Sequence, residues 1–331
     1  MTEGILFTVL SGTFNGLFTA PMKMQPRWKW ENLWIVFIVV ACLMMPIAIV
    51  AGSVPQWLQV IQGSPSSAIA AALAFGFAWG FGAISFGQSV ESLGVSIANS
   101  LVIGLSSALG SVVPLILSGH VRLDAKVLTL LTGIAAFIVG VMFCGQAGLL
   151  RDRLASGGAR PSMRGYLFAI ASGVMSAIFN IGFTLAHPIV TQGTSLGVSE
   201  FSSNNCIWLL MLGAGSIPNL AYCFYLMRRN RTGGLLFESG AARGWLSGLI
   251  MGLLWGGSIF LYGAAVPKLG DLGTSIGWPL SLAVGLLVAN AMGLMLGEWR
   301  SAGSAAVNRM RVGLATLLLA IMLCGVSARM V

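Results

Sequence analysis

Charged side chains are scarce in this sequence: Asp, Glu, Lys and Arg make up 8% of its 331 residues, against about 25% in soluble domains. That scarcity excludes a water-soluble globular protein. Histidine is scarcer still, with His120 and His187 the two in the chain. The five cysteines, Cys42, Cys144, Cys206, Cys223 and Cys324, stand singly without a C-x-x-C pair. No Cys/His spacing suits a metal or a redox pair, and the thiols read as small buried hydrophobes. No nucleophile and base, and no carboxylate cluster, are brought together, so an intramembrane enzyme lacks its machinery. Neither a cofactor nor a metal is expected. Between Asn32 and Val90 there is no Asp, Glu, Lys, Arg or His, and elsewhere such residues, Glu91, Asp271 and Glu298 among them, fall at the ends of apolar stretches or in loops. A carboxylate at the bilayer midplane would mark a proton relay or ion site. Its absence argues against a strongly charged substrate and leaves a neutral, polar cavity as the expectation.

What the chain has instead is apolar length. Its composition is 56% hydrophobic and its mean hydropathy is +0.89. Ten stretches, near 4–22, 32–52, 67–90, 93–118, 127–148, 165–186, 206–227, 244–265, 272–297 and 312–328, reach or approach the ~20 residues that cross ~30 Å of hydrocarbon as a helix. They are continuously apolar, whereas barrel strands alternate over about ten residues. The fold class is therefore all-α and integral to the membrane, with the lipid bilayer as the chain's environment.

The net charge of +9 would suggest nucleic acid in a soluble protein, but here it follows topology. Lys23, Arg27, Lys29, Arg151, Arg153, Arg160, Arg164, Arg228, Arg229, Arg231, Arg243, Arg300, Arg309 and Arg311 fall in one set of alternate loops. Arg122, Lys126, Lys268 and Arg329 fall in the other. By the positive-inside rule the first set is cytoplasmic, and both termini are periplasmic. Met1-Thr2-Glu3 carries no basic residue, so the first apolar run reads as a retained helix rather than a signal peptide.

The sequence also repeats itself. Trp79-Gly80, Phe86-Gly87, Val90 and Leu93-Gly94 recur with the same spacing as Trp255-Gly256, Tyr262-Gly263, Val266 and Leu269-Gly270, an offset of 176 residues. Leu6-Phe7-Thr8-Val9-Leu10-Ser11-Gly12 likewise matches Leu167-Phe168-Ala169-Ile170-Ala171-Ser172-Gly173. The third stretch matches the eighth and the first the sixth. Segments five helices apart cross in opposite directions, so the chain is expected to be two inverted five-helix repeats, 1–157 and 158–331, joined by the polar loop containing Gly157-Gly158 and Pro161. Inverted repeats characterise alternating-access transporters.

Neutral polar and aromatic residues mark where such a protein would hold its substrate. Thr8, Ser11, Asn15 and Thr19 share one face of the first helix, and Ser172, Ser176, Asn180, Phe183 and His187 one face of the sixth. Asn is costlier to place in lipid than Ser, which makes Asn15, Asn99, Asn180 and Asn290 the cavity candidates, with Gln88 beside them. Trp79, Trp255 and Trp278 lie within helices, away from the interface Trp favours, and with Tyr262 they offer flat rings with polar tips. Trp28, Trp30, Trp34, Trp57, Trp245 and Trp299 read as interfacial anchors. Amides, hydroxyls and aromatic faces together suit a sugar. His187 is the titratable group that continues a polar stripe and is the candidate for proton coupling.

Ala20-Pro21-Met22-Lys23, Trp28-x-Trp30-Glu31-x-x-Trp34, Trp79-Gly80-x-Gly82, Leu93-Gly94-x-Ser96 and Gly297-Glu298-Trp299-x-x-Ala302-Gly303 together resemble the L-rhamnose/proton symporter family of the drug/metabolite transporter superfamily. The resemblance implies ten helices in two inverted repeats, a central site formed mainly without the fifth and tenth, and proton-coupled import of a deoxysugar across a bacterial inner membrane. The chain departs from the family pattern where an Asn-rich run gives way to Ala83-Ile84-Ser85 and where Ser258 stands for an expected Gln. The reading is thus a secondary transporter importing a neutral, rhamnose-like monosaccharide with protons, as a monomer or homodimer. A drug or metabolite exporter of the same superfamily is the alternative.

Overall fold

The computed structural model describes the chain apart from residues 26, 94, 118, 120–122, 157–162, 296, 298, 301 and 331; of 23, 24, 90, 91, 95–97 and 152–156 it describes the backbone alone. Expectations resting on Val90, Glu91, Gly94, His120, Gly157-Gly158, Pro161 and Glu298 lie outside the described residues. The described chain holds ten helices long and apolar enough to cross a membrane, and no strand. They are α1 (Thr2–Leu17), α2 (Trp30–Ser53), α3 (Ser66–Leu93), α4 (Val95–Leu117), α5 (Ala125–Ser156), α6 (Met163–Leu185), α7 (Glu200–Asn230), α8 (Ala242–Ala265), α9 (Gly273–Met295) and α10 (Ser304–Arg329). Each overlaps a stretch expected from apolar length, with α5 running on past 148 to Ser156, α7 starting at Glu200 rather than 206 and α10 at Ser304 rather than 312.

Proline and glycine shape these helices. The ring of Pro46 cannot sit against an α-helical carbonyl four residues back, and α2 widens to a π-helix over Val39–Met44 just before it. Pro188 interrupts the sixth span, which runs Met163–Ser195: α6 stops at Leu185, and after a turn a short helix, Pro188–Ser195, begins with proline in its first turn and His187 as N-cap. The polar stripe read through Ser172, Ser176, Asn180 and Phe183 therefore does not continue to His187. Gly76 and Gly80 let α3 press onto α7, since a Cβ at Gly76 would lie 2.2 Å from the Met211 carbonyl oxygen and one at Gly80 2.4 Å from Pro218 Cγ. Gly252 and Gly256, one repeat offset later, seat α8 in the same way on Val40 and Met45 of α2, each with a 2.6 Å approach.

The packing order is regular. Helix α1 lies against α8 and α9, and α6 against α3 and α4; α3 packs on α7 and α8 on α2; α4 packs on α5 and α9 on α10. The pairs α2–α7, α4–α9 and α5–α10 close the bundle. Buried aromatic and aliphatic side chains of α2, α3, α6, α7 and α8 form the largest core. Trp28, Trp34 and Trp299, expected at the interface, are instead packed inside at 7–8% exposure, and the Trp34 indole N–H donates to Asn219 Oδ1 at 3.0 Å. Trp57 and Trp245 remain exposed. All five cysteines are free and buried.

Candidate functional site

Helices α1, α3, α4, α6, α8 and α9 surround a cavity of about 130 Å³. Its aromatic wall comes from Trp79, Phe179, Trp255, Tyr262 and Trp278, and its polar surface from Ser11, Asn15, Ser106, Ser176, Ser258 and Ser281. Among the described residues, no charged side chain lines it. Trp79 and Trp255, equivalent in the sequence repeat, meet face to face with ring centroids 5.1 Å apart and planes 14° from parallel. Phe179 leans on Trp79 at 5.0 Å and Phe37 meets the edge of Trp255 at 5.6 Å, so the indole pair is held from both sides.

Three hydroxyls from three helices meet at one edge of the cavity: Ser11 Oγ lies 2.9 Å from Ser281 Oγ and 3.3 Å from Ser258 Oγ. Each hydroxyl is both donor and acceptor, so the cluster can turn its protons toward a guest. Ser106 Oγ is buried without a hydrogen-bond partner among the described residues while its residue lines the same space. An unmet buried hydroxyl costs about 1–3 kcal/mol, a cost removed by a ligand or water that bonds to it. Ser106 and Ser281 were not singled out by the sequence. Ser281 carried a signal, three residues after Trp278 on one helical face; Ser106 is one serine among several in α4 and carried none.

The other wall is tied by hydrogen bonds. The Tyr262 hydroxyl donates to Asn180 Oδ1. The Asn180 amide donates to the Gly110 carbonyl at 2.7 Å and to the Thr274 carbonyl at 3.3 Å, and the Trp278 indole N–H donates to the Ser106 carbonyl at 3.2 Å. Asn180 is fully buried and its amide is spent on protein partners, so it fixes the Tyr262 ring behind the cavity lining.

The remaining candidates lie elsewhere. Asn99 and Asn290 line a second cavity of about 190 Å³, together with Thr19, Arg151 and Trp299. Gln88 donates to the Tyr222 hydroxyl at 2.8 Å between α3 and α7, outside both cavities. His187 is exposed on the turn after α6 and lines neither. Glu31, which the sequence shows only within the Trp28-x-Trp30-Glu31-x-x-Trp34 motif, is 4% exposed at the start of α2. Its Oε1 accepts from Asn230 Nδ2 at 2.9 Å and Thr232 Oγ1 at 2.8 Å, tying α2 to the end of α7. No group of His, Cys, Asp or Glu suited to a metal occurs among the described residues.

Ten spans around a buried, uncharged cavity of rings and hydroxyls define a multi-pass membrane protein of the solute-transporting class. The chain belongs to the L-rhamnose-proton symport protein (RhaT) family, whose model matches residues 1–329. Proteins named L-rhamnose-proton symporter from Klebsiella pneumoniae subsp. pneumoniae and Escherichia coli are each 26% identical to it. The alignments cover 98% of this chain and 97% and 98% of those proteins. A solved crystal structure with 13% identity shares the fold with a TM-score of 0.61 over 99% of this chain and 98% of that one. The activity these relatives are named for is symport, not enzymatic conversion.

Proposed function

We propose that the protein imports a neutral, rhamnose-like monosaccharide together with protons across a bacterial inner membrane, by alternating access. The observation that carries this reading is the stacked Trp79–Trp255 pair facing a hydroxyl-lined cavity with no charge. Indole faces suit the C–H face of a sugar ring, and paired hydroxyls suit its O–H groups. The names of the family and its relatives agree with it. Asn15, Trp79, Trp255, Tyr262 and Trp278 are then direct binding residues, with Asn180 positioning Tyr262. Ser258, standing where the family pattern has Gln, gives a smaller and less reaching donor, which shifts the preference within neutral sugars.

Two inverted five-helix repeats, 1–157 and 158–331, of the drug/metabolite transporter type form the scaffold in this proposal. Support comes from sequence and packing together. Shifting every helix by five maps the α1–α8, α1–α9 and α2–α8 contacts onto α6–α3, α6–α4 and α7–α3. Ser11 reaching Ser258 at 3.3 Å corresponds to Ser172 donating to the Gly82 carbonyl at 2.9 Å, the same offsets applied. The basic loops are cytoplasmic and both termini periplasmic. His187 is the coupling candidate at the outer end of α6, reached from the periplasm rather than from the cavity.

The test is uptake of labelled L-rhamnose by Trp79→Ala and Trp255→Ala variants in vesicles. Losing one ring contact of about 0.5–1.5 kcal/mol beyond its buried area raises KM roughly three- to tenfold or more, while Gln88→Ala leaves KM unchanged. Equal kinetics in the two tryptophan variants and the parent would remove this site from transport.

A further inference from the structure

The second cavity is larger than the central one, about 190 Å³ against 130 Å³, and the two share no lining residue. They nevertheless share three helices in consecutive turns. On α1 and the turn after it the central cavity takes Ser11 and Asn15 and the second takes Gly16 and Thr19; on α4 the order is Ser106, Val102, then Asn99; on α9 it is Trp278, Ser281, then Leu286 and Asn290. The second cavity is thus a vestibule stacked directly beyond the first, toward the end of the bundle that carries Arg151 and Arg300. Between them α1 and α9 touch backbone to backbone: a Cβ at Gly12 would lie 2.5 Å from the Ser281 carbonyl oxygen, and one at Gly16 2.5 Å from that of Gly285. This glycine crossing forms a neck that parts only if the two helices move.

The vestibule repeats the chemistry of the central cavity in different residues. Asn99 supplies an amide, Asn290 its side-chain oxygen (its Nδ2 donates to the Leu286 carbonyl at 2.8 Å) and Thr19 a hydroxyl, and Trp299, 7% exposed, supplies a ring. The guanidinium carbon of Arg151 stands 4.9 Å above the Trp299 ring centroid, so both residues belong to one wall of the space. We propose that the vestibule is a second sugar subsite, occupied between the central cavity and the cytoplasm. It rests on the sugar-transport reading and on the orientation given by the basic loops. Two subsites in series, separated by the α1–α9 neck, let a sugar leave the tryptophan pair before it meets bulk water.

Equilibrium dialysis of labelled L-rhamnose against the purified full chain in detergent reads both subsites. The wild type is expected to bind two sugars per chain, in a tighter and a weaker phase. The Asn99→Ala/Asn290→Ala double variant weakens the second phase about tenfold, as loss of one or two hydrogen bonds implies, and leaves the first within twofold. Trp255→Ala does the reverse. Thr19→Val removes only a hydroxyl at nearly constant volume; it weakens the second phase more modestly and answers the question if the double variant fails to fold. A single sugar per chain in the wild type overturns the subsite, as does loss of the tight phase in the asparagine variant or a weak phase indifferent to all three vestibule changes. No binding by the wild type of L-rhamnose or of any other sugar in a neutral monosaccharide panel overturns the transport reading as well, so the two failures are told apart.

Discussion

At the scale of the residue, Tyr262 does two jobs that its substitution separates. Its ring lines the cavity and meets Trp278 edge-on at 5.4 Å, while its hydroxyl supplies the proton that Asn180 Oδ1 accepts in a fully buried setting. Tyr262→Phe keeps the ring and strands the amide oxygen, so it is expected to destabilise the protein by about 1–3 kcal/mol, read as a lowered Tm in detergent. An unchanged Tm would mean that the Asn180 bond is replaced by water. Asn15, Trp79, Trp255, Tyr262 and Trp278 were legible as cavity residues because each is a polar or amphipathic side chain that lipid does not favour in mid-helix. The same reasoning could not tell a group facing the cavity from one facing a neighbouring helix. Gln88 and Asn180 are costly in lipid for the same reason, and both satisfy that cost against protein. Glu31 was unreadable because its partners, Asn230 and Thr232, lie about two hundred residues away in the chain.

At the scale of the element, glycine content turns into specific contacts. The α3–α7 seam depends on Gly76, where a Cβ meets the Met211 carbonyl oxygen at 2.2 Å, whereas a Cβ at Gly87 of the same helix meets nothing within 4 Å. Gly76→Val therefore forces the helices apart, at about 1–3 kcal/mol or more, and is expected to lower both Tm and the yield of monodisperse protein. Gly87→Ala leaves both unchanged. Equal behaviour of the two variants would contradict the packing described for α3. The spans themselves were legible from apolar length alone. Which face of a span meets lipid was not, because lipid and protein interior are equally apolar and a tryptophan suits the interface or a packed core. Hence Trp28 and Trp34 sit inside, where α2 lies between α7 and α8.

At the scale of the whole molecule, few charges and ten long apolar stretches anticipated a multi-pass membrane carrier, and the ten helices long and apolar enough to cross a membrane and the family match over residues 1–329 agree with that class. The cavities were not legible, since they arise where α1, α4 and α9 pass one another and no single segment encodes them. The described residues lining the central cavity carry no charge, which suits the neutral sugar proposed as its guest. The measurement that decides the central claim is uptake of labelled L-rhamnose into proteoliposomes with and without an inward proton gradient. The account predicts accumulation above the external concentration only when the gradient is present, with collapse on adding a protonophore. Flux that merely equilibrates regardless of the gradient, or no sugar flux at all, would contradict it.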